Sequence, residues 1–399
     1  MGLFSWLKKR GDITKKYIRL ESQNLYDPIF SQYGQNIYAY DVVQQALNCI
    51  VREVKKLRFH HMGRGDNGQT IVLKDIVQNV LENPNLLMTQ TDFLEKITWQ
   101  LFFNYNSFIL PVWDEAGNIT GLFPLQPVQV DFQQDNTGEI YIHFVFNNSY
   151  ESTVRYKDII HLRYNYSVSE FMGGNELGQP DNKALAKVVG MNNELITGVA
   201  KAMKAGYAIN GILKYNTLID DGKAQENLDA LVKRLENSES GLMPIDLKAD
   251  FTQFKRDIQL VDDKTLKFVD EKILRHFGVP LPILTGDYTK TQYEAFYQKS
   301  IEPLVVTISQ AFTKALFSNR QQFGFGHSII LSHNLLDFMS MDEKIRFCQI
   351  ASSVGGVTID EFRAIFGFAP FGGDLGNTPI MSKNYGDAQV VKNIDNSAD

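Results

Sequence analysis

Apolar residues recur at helical spacing over residues 39–58, AYDVVQQALNCIVREVKKLR, where Val42, Val43, Ala46, Leu47, Ile50, Val51 and Val54 share one face. The polar stretch HHMGRGDNGQ then predicts a loop, and residues 71–82 a short helix ended by ENPN. Thr89 is placed to cap a third helix, with Asp92 in its first turn and Phe93, Ile97, Leu101 and Phe102 as its buried stripe. From Ser107 to Tyr164 the period falls to two. SFILPVW–DEAGN–ITGLFPL reads as one hairpin. VQVDF–QQDNTG–EIYIHFVF reads as another, with Ile140, Ile142, Phe144 and Phe146 on one side, and TVRY and IIHLRY add short strands. The prediction is a small, mostly antiparallel sheet beside the first helices.

Beyond the break GGNELGQPDN the helical period returns over 182–206. Leu185, Val188, Val189, Leu195, Ile196, Val199 and Met203 form one side, and small residues such as Ala184, Ala186, Gly190, Gly198, Ala200, Ala202 and Ala205 fill the rest. Residues 207–258 read as a compact insert: the strand YAINGILKY, a polar helix, a turn, then FTQFKRDIQL. Residues 262–277 are helical again. A long helix over 292–318 is predicted to start at a Thr291/Glu294 capping box and to kink at Pro303, which removes a hydrogen bond and clashes with the preceding turn. Ser340 with Glu343, and Thr358 with Glu361, mark two more helix starts; VGG and FGFAPFGGD end those helices, and the chain from about Gly386 reads as disordered.

Composition narrows the function classes. The 399 residues are 44% hydrophobic, enough for a sizeable core and two or three domains. Forty Lys+Arg against 46 Asp+Glu leave a net charge of −6, which argues against gripping nucleic acid over most of the surface while leaving room for a local basic stripe. The two cysteines, Cys49 and Cys348, lie far apart in apolar patterns and read as reduced core thiols. No run nears the roughly 18 apolar residues of a membrane span. The start, MGLFSWLKKRGDITKK, lacks a secretory apolar core and has Trp6 where a myristoylation pattern needs Ser or Thr; it reads as a loosely ordered arm of a cytoplasmic protein.

Candidate chemistry is sparse. The seven histidines include no zinc-protease pair on a helix, and His60–His61, in the predicted polar loop, reads as a solvated pair sooner than a metal ligand. There is no Walker sequence and no G-x-S-x-G elbow; GRG at 63–65 and GFG at 324–326 are too short to carry meaning. Asp pairs at 219–221 and 261–263 read as helix caps. The expectation is a non-enzyme with no catalytic residue, cofactor or metal. One stretch stands out: HFGVPLPILTGDYTKTQYEAFYQKSIEPL, from residue 276, where two prolines hold a short polar loop between helices. A catalytic loop, a hinge and a structural stop all remain open on these residues alone.

Four segments together resemble the portal (head–tail connector) proteins of tailed bacteriophages, of siphovirus type: ENPNLLMTQTDFLEKITWQLFFNYNSFILPVWDEAGNITGLFPLQP, VDDKTLKFVDEKILRHFGVP, LPILTGDYTKTQYEAFYQKSIEPLVVTISQAF and GGVTIDEFRAIFGFAPFGGD. The likeness covers most of 40–380 and rests on the order and spacing of motifs that are individually short. Two departures are visible: Asn104 and Asn106 flank Tyr105 where the family often has Gly-Asn, and Asp360 stands where it often has Asn.

The resemblance implies a mainly helical α+β fold: N-terminal arm 1–38, wing 39–181, stem helix 182–206, clip 207–258, second stem helix 259–279, tunnel loop 280–291, long wing helix and return strand 292–339, crown 340–385 and tail 386–399. It implies a ring of twelve copies at one capsid vertex, assembled in the host cytoplasm and kept in the virion, through which double-stranded DNA is packaged and ejected with only weak, non-specific contact. Its partners would be the terminase large subunit, a head–tail connector or adaptor, the major capsid protein and a scaffold, and no membrane. Pro280 and Pro282 would fix the exit of the tunnel loop, and Gly286, Asp287, Thr289 and Lys290 would face the duplex. Lys187, Lys201 and Lys204 are candidate channel lysines. Ala186, Gly190 and Ala202 are candidate positions for close subunit packing. Two other classes stay on the table: a metal-dependent nuclease-like enzyme using His60 and His61, and a membrane-peripheral scaffold anchored by GLFSWLKK.

Overall fold

The protein is described by a computed structural model over residues 18–19, 38, 40–65, 70–147, 149–166, 168–176, 178–180, 182–207, 211–215, 249–253, 263–333 and 341–381. Expectations for the clip's polar helix, the Ser340 cap, most of the N-terminal arm and the tail from 386 fall outside these residues. The described part mixes helix and strand, an α+β arrangement. It divides into two units: Met1–Gln32 with Leu47–Pro180 and Tyr293–Asp399, and Tyr33–Ala46 with Asp181–Gln292.

In the first unit, the hairpins form where the period-two pattern placed them. β4 (Asn106–Trp113) pairs antiparallel with β5 (Ile119–Pro124), and β6 (Gln129–Gln134) with β7 (Ile140–Val145). They belong to two sheets, not the single one expected. One has the order β1-β6-β7-β8, with β1 at Ile18–Arg19 and β8 at Glu151–Arg155; the other is β5-β4-β9, with β9 at Ile160–Arg163. Phe108, Leu110, Val130, Phe132, Ile142 and Phe144 belong to one core cluster, so side chains from β4, β6 and β7 pack together. Ile140 and Phe146 pack partly buried against it, completing the predicted apolar side of β7.

HHMGRGDNGQ is not simply a loop. β2 (Arg58–Arg64) alternates buried Phe59, His61 and Gly63 with more open neighbours, and pairs with β3 (Thr70–Val72) and with β12 (Ser328–Ser332). Two histidines and a glycine hide that alternation from a hydrophobicity count, and the pairing strand β12 lies far away in sequence. The free edge of β12 is closed by the long helix α8 (Glu302–Leu316): the N–H groups of Ile329 and Leu331 donate to Thr313 Oγ1 and Ser309 Oγ at 2.8 and 3.0 Å. An edge strand whose free donors are taken by helix hydroxyls is not left open to foreign strands.

The early helices are α1 (Asp41–Val54), α2 (Ile76–Glu82) and α3 (Gln90–Asn104); α2 starts later than the pattern suggested because 70–72 is strand. Thr89 and Asp92 form a reciprocal capping box at α3. At its C-cap Tyr105 is left-handed, with φ 57°, the conformation glycine adopts at least cost. Tyr105 offsets that cost by burying its ring against Tyr164, 5.0 Å between centroids.

Near the C-terminus, α9 (Met341–Ser353), β13 (Val354–Thr358), α10 (Ile359–Ile365), α11 (Gly373–Gly376) and β14 (Pro379–Met381) follow in order. VGG ends α9 as expected and also starts β13, which pairs with β14. The Thr358/Glu361 capping box is present. At the second departure, Asp360 accepts the N–H groups of Phe371 and Gly372 at 2.7 and 3.0 Å, one on each carboxylate oxygen. An asparagine has only one such acceptor oxygen.

Candidate channel segment

The second unit contains the pieces the sequence singled out. α4 (Lys183–Tyr207) packs along α5 (Asp263–His276). Leu185, Val189 and Asn192 are its buried positions toward the N-terminal end, and Asn192 Nδ2 donates to Asp270 Oδ1 at 3.0 Å. Burial pushes the Asp270 carboxyl up, and the Asn192 hydrogen bond partly opposes this. That polar pair was missed in the sequence, because Asn192 lies on a stripe read only for its apolar members. A strand pair, β10 (Gly211–Tyr215) with β11 (Ala249–Gln253), lies between the two helices in sequence.

The prolines do not stop α5. Gly278 does, at φ 70°: its N–H donates to Arg275 O at 3.2 Å and that of Val279 to Leu274 O at 3.0 Å, the paired bonds of a Schellman ending. Val279 and Leu274, the residues such an ending brings together, are both buried. Pro280 then serves as N-cap of a new short helix, α6 (Leu281–Thr285), with Pro282 in its first turn, where a missing N–H costs nothing. The segment 280–291 is therefore not one open loop. Gly286, left-handed at φ 81°, ends α6, and α7 (Lys290–Phe296) begins four residues later.

The cap of α7 is also two residues earlier than expected. Thr289 and Gln292 exchange bonds, Thr289 N–H to Gln292 Oε1 at 2.9 Å and Gln292 N–H to Thr289 Oγ1 at 3.3 Å, in place of Thr291 with Glu294. Gln at the third helical position does the work assigned to Glu. Of the proposed facing residues, Gly286, Asp287, Thr289 and Lys290 are all exposed; Thr289 is committed to the cap and Lys290 opens the helix. The helix continues through a π-turn at Tyr297–Ile301, where Glu302 N–H reaches back to Tyr297 O, and then α8. The π-turn thus stands just before Pro303, the residue at which a kink was expected, and Pro303 itself falls in the first turn of α8.

On α4, Lys187 and Lys201 are exposed; the side chain of Lys204 lies outside the described residues. Fourteen residues at about 100° each place Lys187 and Lys201 within about 40° of one another, on the side away from Leu185 and Val189. Ala186 is exposed and Gly190 half-buried, and a Cβ built on Gly190 would meet nothing within 4 Å. Those two share a face. Ala202, half-buried, lies about 160° around the helix from Ala186, so the three small residues are not one surface.

The histidine alternative fares differently. His61 is 1% exposed, its Nδ1 3.0 Å from Asp75 Oδ1 and its Nε2 2.8 Å from His327 Nδ1. His60 projects from the other side of the strand. Both ring nitrogens of His61 are taken by neighbouring side chains, which is a core role and not the solvated pair expected. No cluster of three or more His, Cys, Asp or Glu with metal-holding geometry occurs among the described residues, and no described helix is long and apolar enough to cross a membrane.

Comparison with solved structures places the fold first. The chain is similar in fold to the neck of an empty gene transfer agent particle computed with C6 symmetry: TM-score 0.60 at 16% identity, covering 93% of this chain and 99% of that one. It is similar also to the neck of the native particle computed with C12 symmetry, with TM-score 0.58 over 92% of this chain and 99% of that one, at 16% identity. The family model for phage portal proteins matches residues 41–367, and the chain belongs to that family. Among curated relatives, the portal protein of Enterobacteria phage HK97 is 24% identical over 330 residues, 78% of this chain and 74% of that protein. A probable portal protein of Lactococcus phage p2 is 26% identical over 147 residues, 34% of this chain; the match spans 39% of that relative's length.

Proposed function

We propose that this chain is the subunit of a portal ring, twelve copies closed around a channel at one capsid vertex, that conducts double-stranded DNA during packaging and ejection. The observation that carries the reading is the family match over residues 41–367, joined to a fold similar over nearly its whole length to particle necks solved with rotational symmetry. Twelve copies follow the C12 symmetry of one such neck. In this reading α4 and α5 are the stem, 207–258 the clip, 280–291 the tunnel segment, 39–181 with 292–339 the wing, and 340–385 the crown. The clip docks the terminase large subunit during packaging and a connector afterwards; the wing and crown meet the major capsid protein and scaffold.

The charge balance supports passage without grip. A duplex is held in proportion to the phosphates that Lys and Arg neutralise. A chain at net −6, with exposed lysines as sparse as Lys187 and Lys201 on α4, touches the duplex lightly and releases it. Removing residues 286–290 tests the tunnel assignment. Rings should still form, while virions assembled with the shortened chain should package or retain less DNA. Normal DNA content in such virions would refute the assignment.

A further inference from the structure

In the first unit, a cavity of about 540 Å³ opens between β9 with its preceding turn and the helix α8. Tyr156, Lys157, His161, Arg163 and Tyr166 line one side and Lys314 the other. Nothing in the channel reading uses it. Its volume falls within the range of small-molecule sites, roughly 300–1,000 Å³.

The polar atoms of its floor are already satisfied, and the order of their hydrogen bonds can be worked out. Asn106 is fully buried, and its Nδ2 lies 3.0, 3.1 and 3.0 Å from the carbonyls of Asn104, Gly173 and Gly178. Its Oδ1 therefore accepts, from Gly173 N–H at 2.8 Å and from His161 Nε2 at 3.0 Å. His161 thus carries its hydrogen on Nε2, and its Nδ1 accepts the Tyr156 hydroxyl at 3.2 Å. Burial, and secondarily Arg163, hold the His161 imidazole well below its usual pKa, in keeping with a neutral ring.

The cations are not satisfied in the same way. Lys157 is paired with Glu139 at 2.5 Å. Arg163 is half-buried, lies 3.8 Å over the Tyr166 ring and, among the described residues, its guanidinium hydrogen-bonds only Phe171 O, at 3.5 Å. Neither Arg163 nor Lys314 has a carboxylate partner among the described residues. A partly buried guanidinium facing no anion is costly, and a cavity beside it is where the missing anion belongs. Two cations suit one anionic group; a polyphosphate backbone needs a longer basic track. Ile159 and Ala311 supply apolar wall, more than a bare ion would use.

We propose that this cavity binds a small organic anion, a carboxylate or phosphate group on an apolar body, clamped between the guanidinium of Arg163 and the ammonium of Lys314. The test is ligand-observed NMR and calorimetry on the purified full chain, with phenyl phosphate and benzoate as probes and benzyl alcohol as the uncharged control. At least one anion should bind, benzyl alcohol should not, and the stronger of the two identifies phosphate or carboxylate as the natural group. Lys314→Gln, at an exposed site in the last turn of α8, and Arg163→Gln should each weaken binding by about tenfold or more, the worth of one charge-assisted hydrogen bond. The proposal is overturned if neither anion binds up to about 10 mM, a Kd that for such small probes would mean no clamp. It is also overturned if the Lys314→Gln chain binds as tightly as the parent, or if benzyl alcohol binds as well as the anions.

Discussion

His161 shows what a single residue contributes. It is held neutral by a hydrogen-bond order running from the Gly173 N–H through Asn106 to Tyr156, and burial keeps it so. His60, His276, His327 and His333 are also shifted down, each chiefly by desolvation. In every case the unfolded chain takes up a proton near the ordinary value of 6.5, and the folded chain resists until lower pH. Their stability contribution is therefore whole above pH 6.5 and is lost as pH falls from there through the depressed folded values, most of it from the fully buried His161. Thermal unfolding should occur at lower temperature at about pH 5.5 than at about pH 7.5, since acid favours the unfolded chain throughout that window. A midpoint that stays level or rises on acidification would contradict the assigned neutral state. None of this was readable from the residues alone: His161 lies in the strand IIHLRY like any half-polar position, and its partner Asn106 is 55 residues away.

At the scale of elements, legibility followed the strength of the local pattern. The hairpins at 106–124 and 129–145, the long helices and the Thr89 and Thr358 caps formed where periodicity and capping chemistry put them. What was misread was decided by partners remote in sequence or by a rival cap. β2 needed β12 to reveal it as a strand, and α7 took Thr289 because Gln292 could answer it. Residues 280–291 do lie between two longer helices, but the short helix α6 inside them has no sequence signal, since five residues bounded by Pro280 and Gly286 carry no periodic pattern. The faces of α4 yield a prediction at the same scale. Ala186 is exposed in the single chain, so Ala186→Leu should leave the folded protomer's circular dichroism unchanged and shift its stability by less than about 0.5 kcal/mol. In the proposed ring the extra bulk meets a neighbour, and Ala186→Leu and Ala202→Leu should both prevent closure. Rings of parental size from both variants, measured by light scattering, would remove α4 from the subunit contact.

For the whole molecule, the proposal is that copies of this acidic, two-unit chain assemble. Rotational closure of one chain requires two different surfaces of the protomer to meet, which a ring supplies and a two-fold dimer does not. The most direct test is electron microscopy of the purified full chain, with native mass spectrometry to count subunits. The account predicts annular particles with an open centre and a single closed stoichiometry, twelve by the reading given above. Particles that remain monomeric at every concentration, including in the presence of capsid shell and packaging-motor proteins, would contradict it.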